Sequence, residues 1–298
     1  MKQSQNKVKK AVFIVAGLGT RFLPYTKAQP KEMLPIVDKP IIQYLVEEAV
    51  EAGITEIIFV TAKGKESIEN HFDKSFDLEN SLTKKGKLEL LGNIKKIEQL
   101  ASFSYVRQLE QLGDGHALMC AKPWIAPDEP VLMVFPDYIM PKSNNTFAKM
   151  IEAYDSTGST IIATDYVDES QVNKYGVVDF TNTDSEGIIN LKGFVEKPKS
   201  ILEAPSNLIN IGYAVIPPFF WENMTSSNSI GDGEIRVSDT YTQMLANGDT
   251  ILAITPTKSG YDCGQPVGFI KATIDFALDR PEFAQELKAY LQEKVKGM

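Results

Sequence analysis

The sequence predicts an α/β protein with a mixed central sheet flanked by helices and a helical C-terminal extension. Three observations carry that prediction. Strand-length apolar runs at residues 10–16 and 55–62 enclose a helical pattern at 40–52, which together form a βαβ unit. The alternation of strand and helix continues to about residue 167. Beyond it, strand-like segments follow one another without intervening helices, which calls for antiparallel or mixed pairing.

In chain order, residues 10–16 (KAVFIVA) read as a buried parallel strand, because an unbroken apolar run suits a strand covered on both faces. Residues 40–52 (PIIQYLVEEAVEA) open on a proline, carry apolar residues at helical spacing and stop at Gly53. Residues 55–62 (TEIIFVTA) form the next strand, and the lysine-rich segment 73–100 is a helical insertion into the α/β plan. A strand at 102–108, a helix starting at 115–121 and a central strand at 130–135 (PVLMVF), ending at Pro136-Asp137, continue the series. A helix over 146–156 precedes a strand over 160–167. Strands are then expected at 175–180, 193–195 and 208–216, and helices at 238–246, 264–278 and 281–296. Without internal repeats, low-complexity tracts or a domain-separating linker, residues 1–298 are expected to form one domain.

The 298 residues are 43% hydrophobic and 23% charged, enough for a sizeable core, and the formal net charge is −8. That acidic balance argues against non-specific binding to nucleic acid or an anionic membrane, so a positive field for an anionic ligand must be built locally. Two cysteines, Cys120 and Cys263, make no disulfide framework or metal-ligand spacing and are expected to be buried thiols. With His71 and His116 alone, a mechanism resting on histidine general bases is disfavoured. The polar start MKQSQNKVKK, and an apolar run too short for a signal peptide or membrane span, lead us to expect a cytoplasmic protein.

The candidate site begins where the first strand meets Gly17-Leu18-Gly19-Thr20-Arg21. A strand entering a glycine-rich turn brings backbone N–H groups close to phosphates. The third glycine of the dinucleotide fingerprint is missing, since Phe22 stands there, as is the GK[ST] ending of a Walker loop. Arg21 follows the turn, and Lys31 sits in Pro-Lys-Glu-Met-Leu-Pro, where two prolines limit the backbone. These two cations suit a polyanion such as a nucleoside triphosphate. Asp137, at the end of an apolar strand, is well placed to hold Mg²⁺, which takes hard oxygen ligands and bridges phosphates; Asp262 is a second candidate. Gln108 has an amide able to read a pyrimidine edge, and Gly113 and Gly115 allow close backbone approach to a base, with His116 as a structural hydrogen-bonding residue. Glu196-Lys197 could bind sugar hydroxyls and a phosphate, or could be a solvated pair before a turn. Tyr175-Gly176, Asn210 and Gly212 are equally open on residue type alone.

As a set, these residues resemble the sugar-phosphate nucleotidyltransferase family, and within it the bacterial UTP–glucose-1-phosphate uridylyltransferases. The resemblance runs from about residue 10 to about 278 and is most specific in AGLGTRFLPYTKAQPKEMLPIVDKPIIQY, residues 16–44. IENHF, the turn at 113–117, Pro136-Asp137, YGVVD, VEKPK, APSNL and DCG follow in the family's order, and the 73–100 insertion favours this subfamily over the shorter thymidylyltransferases.

The resemblance implies a Rossmann-like nucleotide-diphospho-sugar transferase fold. Its nucleotide part would span about 8–140, its sugar-phosphate part about 141–264 and its terminal helices about 265–298. It further implies that Ala16, Gly17, Gly19 and Thr20 meet the nucleotide, that Arg21 and Lys31 neutralise the triphosphate, and that Gln108 and Gly113 read uracil. Asp137, with Asp262, would hold Mg²⁺; Gly176 and Glu196 would contact glucose and Lys197 the sugar phosphate. The implied substrates are UTP and glucose 1-phosphate, with Arg21, Lys31, Asp137 and Lys197 as the catalytic set, in a homodimer or homotetramer.

Three positions depart from the pattern. Asp114 stands where the family often has an apolar residue, Tyr213 replaces a common basic residue, and an extra glycine interrupts Gly231-Asp232-Gly233-Glu234-Ile235. A thymidylyltransferase for the same sugar phosphate, a non-catalytic sugar-nucleotide sensor and a metal-dependent glycosyltransferase are the alternative readings.

Overall fold

The computed structural model describes residues 6–181, 187–224 and 233–297. Gly231 and Asp232, in the interrupted motif above, lie outside the described residues.

The strands of the main sheet are β1 (Lys10–Ile14), β2 (Glu56–Thr61), β3 (Ser102–Arg107), β4 (Val131–Val134), β5 (Thr160–Tyr166), β6 (Gly176–Phe180), β7 (Ile188–Glu196), β8 (Leu208–Ile216) and β9 (Ile251–Ile254). They are ordered β3–β2–β1–β4–β8–β5–β9–β7–β6. The first four are mutually parallel, with Val12 beside Ile58 and Met133. β8 then inserts antiparallel between β4 and β5, Val215 facing Leu132 on one side and Ile161 on the other. This is the mixed sheet the helix-free segment calls for.

Two features make the sheet curl. The β8–β5 register shifts between Asn210 and Ala214. Beyond that break β8 also pairs with β6, through Ile209 and Val177, so the last five strands close upon themselves. Gly212, in the shift, has φ +84, and a Cβ there would lie 2.6 Å from the Phe135 ring. Only glycine takes that conformation at that spacing without strain.

Both faces of the sheet are covered. One carries α1 (Ile41–Glu51), α2 (Glu66–Phe72) and α6 (Thr146–Thr157), which pack over Phe13, Phe59 and Val134. The other carries α5 (Asp114–Ala121) and α7 (Val237–Ala246) over Val12, Ile58 and Met133. The insertion is a helical pair, α3 (Phe76–Lys84) and α4 (Leu88–Glu98). The chain closes with α8 (Pro266–Leu278) and α9 (Pro281–Lys296), the extension expected from the sequence. Among the described residues no helix is long and apolar enough to cross a membrane.

Some expectations change. The short strand expected at 193–195 is the end of β7, whose bulge between Leu191 and Gly193 interrupts the alternation. β9 was not anticipated: four apolar residues carry little pattern, yet all four are buried between β5 and β7. Cys263 is buried, whereas Cys120 is only half-buried, near the end of α5.

Candidate active site

In a parallel sheet the strand C-termini share one edge, and ligands bind there. The loops after β1, β3 and β4 meet at that edge in a cleft of about 650 Å³, and the closed half of the sheet supplies the opposite wall. The cleft is lined by Ala16, Gly17, Gly19, Thr20, Arg21, Lys31, Gln108, Gly113, Asp137, Gly176, Glu196, Lys197 and Asp262. Gly115, expected to approach a base, is not in the lining and packs against the Ile235 backbone instead.

The turn after β1 is built for backbone exposure. Val15 still donates to the Val60 carbonyl at 3.0 Å, so the strand is anchored to its last residue. Gly17 has open space around its α-carbon. Gly19 takes a left-handed conformation (φ +65), and its carbonyl accepts from Thr26 Oγ1 at 2.8 Å and from the Phe22 N–H at 3.1 Å. The turn is thereby closed on itself, and Arg21 emerges exposed on the single helical turn Thr20–Phe22.

Lys31 sits on the third such turn, Lys31–Met33, after one at Tyr25–Lys27, and its Nζ lies 2.7 Å from Asp137 Oδ2. Burial alone would favour the neutral amine, but Asp137 and Glu32 outweigh it and hold Lys31 above its ordinary pKa. Burial likewise opposes the charge on Asp137, and Lys31 with Arg21 overcomes it, so its carboxyl titrates below the usual range. Both stay ionised at neutral pH. Glu32, beside Lys31, is fully buried and bonded to Lys65 Nζ at 2.8 Å, which locks the turn that carries Lys31. Burial pulls the Lys65 pKa down against the opposing pull of Glu32. Nothing in the sequence pattern signals this buried pair.

Asp262 stands beside Asp137. Gly264 donates its N–H to the Asp137 carbonyl and to Asp262 Oδ1, each at 2.9 Å, so one residue braces both acids. Tyr175 Oη donates to Asp262 Oδ2 at 2.6 Å. Burial raises the Asp262 pKa against that hydrogen bond, and the neighbouring Asp137 raises it further.

In the loop after β3, Gln108 is buried and its amide nitrogen donates to the Gly113 carbonyl at 2.9 Å, with His116 Nδ1 at 3.1 Å. His116 thus has the structural part expected of it. Gln111, not anticipated, donates to the Ala16 carbonyl at 3.2 Å and ties this loop to the β1 turn.

On the opposite wall, a Cβ at Gly176 would lie 2.3 Å from the Phe194 ring and 2.9 Å from Glu196 Oε2. Lys197, 3.3 Å from Glu196, has φ 45, and its N–H donates to the Tyr175 carbonyl at 3.0 Å. A lysine in the left-handed region is a rarity that loop sequence does not reveal. Tyr213, at the position where a basic residue is common, points into the core instead, where its hydroxyl donates to the Tyr138 carbonyl.

Residues 10–277 match the family model described as Nucleotidyl transferase. The chain belongs to the nucleotidyl transferase family. Relatives of this nucleotidyl transferase include a UTP–glucose-1-phosphate uridylyltransferase 2 from Staphylococcus saprophyticus, 43% identical over 96% of this chain and 98% of its own. A UTP–glucose-1-phosphate uridylyltransferase from Bacillus subtilis is 42% identical over 96% and 97% respectively. Among solved structures, a UTP-bound UGPase from Acinetobacter baumannii superposes with a TM-score of 0.87, at 40% identity, over 96% of this chain and 99% of that one. The nucleotidyl transferase resembles these enzymes along almost its whole length.

The Glu32–Lys65 pair makes a direct prediction. Lys65→Met leaves Glu32 buried without its partner and should lower the unfolding free energy by about 3–5 kcal/mol. Adding Glu32→Leu should recover much of that loss, as read from urea midpoints of the wild type and the two variants.

Proposed function

We propose that the protein transfers a uridylyl group from UTP to glucose 1-phosphate, giving UDP-glucose and pyrophosphate. The observation that carries the reading is the cluster of Arg21, Lys31 and Asp137 beside an exposed glycine turn, in a chain of net charge −8. Two cations held beside exposed backbone N–H groups suit a triphosphate, and the carboxylates among them suit the divalent cation that accompanies one. The names of the close relatives support the same activity.

In this reading the turn at Ala16–Thr20 cradles the triphosphate, and Gln108 with Gly113 reads the uracil edge. Gly176 and Glu196 bind the glucosyl group, while Lys197 holds the attacking phosphate. A phosphate monoester has a second pKa of about 6 and arrives deprotonated, so no general base is needed. Neither His71 nor His116 lines the cleft.

The phosphate oxygen of glucose 1-phosphate attacks the α-phosphorus of UTP while the bond to the bridging oxygen of the β-phosphate breaks. The electron pair leaves with pyrophosphate, where Arg21 and Lys31 stabilise it. Alignment of two mutually repelling anions and this charge stabilisation are the protein's contributions.

Asp137 and Asp262, adjacent and both unfavourably buried, offer the hard oxygens that would hold Mg²⁺, and the ion would supply charge neutralisation to the phosphates. Because both substrates are charged phosphate esters, we place the reaction in the cytoplasm; the family resemblance implies a homodimer or homotetramer.

Pyrophosphate release across a panel of UTP and dTTP with several sugar 1-phosphates tests the reading. UTP with glucose 1-phosphate should be the best pair. A preference for dTTP would make the protein a thymidylyltransferase, a difference of one methyl worth about 1–3 kcal/mol. No release from any pair would leave a sensor. Arg21→Ala should lower turnover by about 10²–10³, the scale for removing one transition-state donor. Lys197→Ala should raise KM for glucose 1-phosphate far more than KM for UTP; an equal rise in both would remove Lys197 from the sugar-phosphate side.

A further inference from the structure

The segment just before α7 runs alongside the turn that begins α5. Ile235 donates its N–H to the Leu112 carbonyl at 2.8 Å, and its own carbonyl accepts from the Gly115 N–H at 2.8 Å. The approach is so close that a Cβ on Gly113 would lie 2.3 Å from the Ile235 oxygen. A third bond goes through a side chain: the Val237 N–H donates to Asp114 Oδ1 at 2.9 Å. Val237 is the first residue of α7, so the Asp114 carboxylate caps that helix from a different part of the chain.

Both partners of this junction border the cleft. Asp114 opens onto it next to Gly113, and Glu234, held at 2.9 Å by Arg236, lines it from the other segment. The base-facing turn has independent anchors, from Gln108 to the Gly113 carbonyl and from Gln111 to Ala16.

We propose that Asp114 is a positioning residue that fixes the 234–237 wall of the cleft against the base-facing turn and thereby sets the fit of the sugar phosphate. The proposal rests on the uridylyl-transfer reading above for the substrate it names. The tie itself rests on the three hydrogen bonds.

The groups around the carboxyl make its ionisation a useful signature. Desolvation by the cleft walls pushes its pKa up to about 6, opposed by the Val237 N–H, reinforced by Glu196 at the end of β7, and opposed again by the Gly115 N–H and Arg236. Tyr241, on α7, is the other titratable group facing it, and burial raises that hydroxyl's pKa further from neutrality. As pH falls through about 6, Asp114 therefore takes up a proton and becomes a weaker acceptor for Val237.

The test compares wild type, Asp114→Asn and Asp114→Leu by steady-state kinetics from pH 5 to 8, and by hydrogen–deuterium exchange of residues 234–241. At pH 8 the leucine variant should raise KM for glucose 1-phosphate about tenfold, the scale of one charge-assisted hydrogen bond, with KM for UTP changed far less. Asparagine, a neutral acceptor of the same shape, should show a smaller rise. The gap between it and wild type should close below about pH 6, where wild type is itself protonated. Titration of the substrate's own phosphate cancels in that comparison. The Val237 amide should exchange faster in the leucine variant.

Equal rises in both KM values, asparagine behaving like leucine at every pH, or unchanged exchange at Val237 would each overturn the proposal. If leucine does not fold, the asparagine comparison across pH decides alone. Failure of wild type to release pyrophosphate from UTP and glucose 1-phosphate would sink the activity reading instead, and the exchange measurement would still judge the tie.

Discussion

The contact between Lys31 and Asp137 is the interaction around which this cleft is organised. It joins the loop after β1 to the loop after β4 across a separation of 106 residues, at 2.7 Å. An acidic chain can gather negative ligands only where its cations are held close together and their repulsion is offset. Asp137 does that for Lys31 and for Arg21, and Glu32 with Lys65 keeps the lysine's turn from moving away. Lys31 and Asp137 keep each other ionised in spite of burial, so the site depends on both being present.

The other half of the site depends on topology. Four parallel strands bring the loops after β1, β3 and β4 to one edge, but they cannot place Glu196 or Lys197 opposite them. That follows from β8 entering antiparallel and then turning to β6, which folds the β6–β7 hairpin over the cleft. Gly212 permits the turn beside Phe135, and Gly176 lets β6 pass close to Phe194 and Glu196.

This division explains what could be read from the sequence. The glycine turn, Arg21 and Lys31 lie within fifteen consecutive residues and carry their own local signature. Asp137 was legible because it ends an apolar strand. The helices and parallel strands were legible from periodicity, with boundaries within a few residues. Asp262, Tyr175 and Glu196 were ambiguous because their meaning comes from partners far along the chain, as in the bond from Tyr175 to Asp262 across 87 residues. Burial of Glu32 and the capping of α7 by Asp114 left no trace in pattern at all, since charged residues read as surface unless a partner is known. β9 was too short for its period to register.

The backbone at Lys197 carries one last implication. Its φ of 45 is a conformation that glycine or asparagine adopts with ease and lysine does not. Neither of those residues bears a positive charge. In the proposed reaction fold and chemistry therefore pull in opposite directions at Lys197, and selection for heat resistance alone would be drawn toward replacing the ammonium with a more relaxed chain.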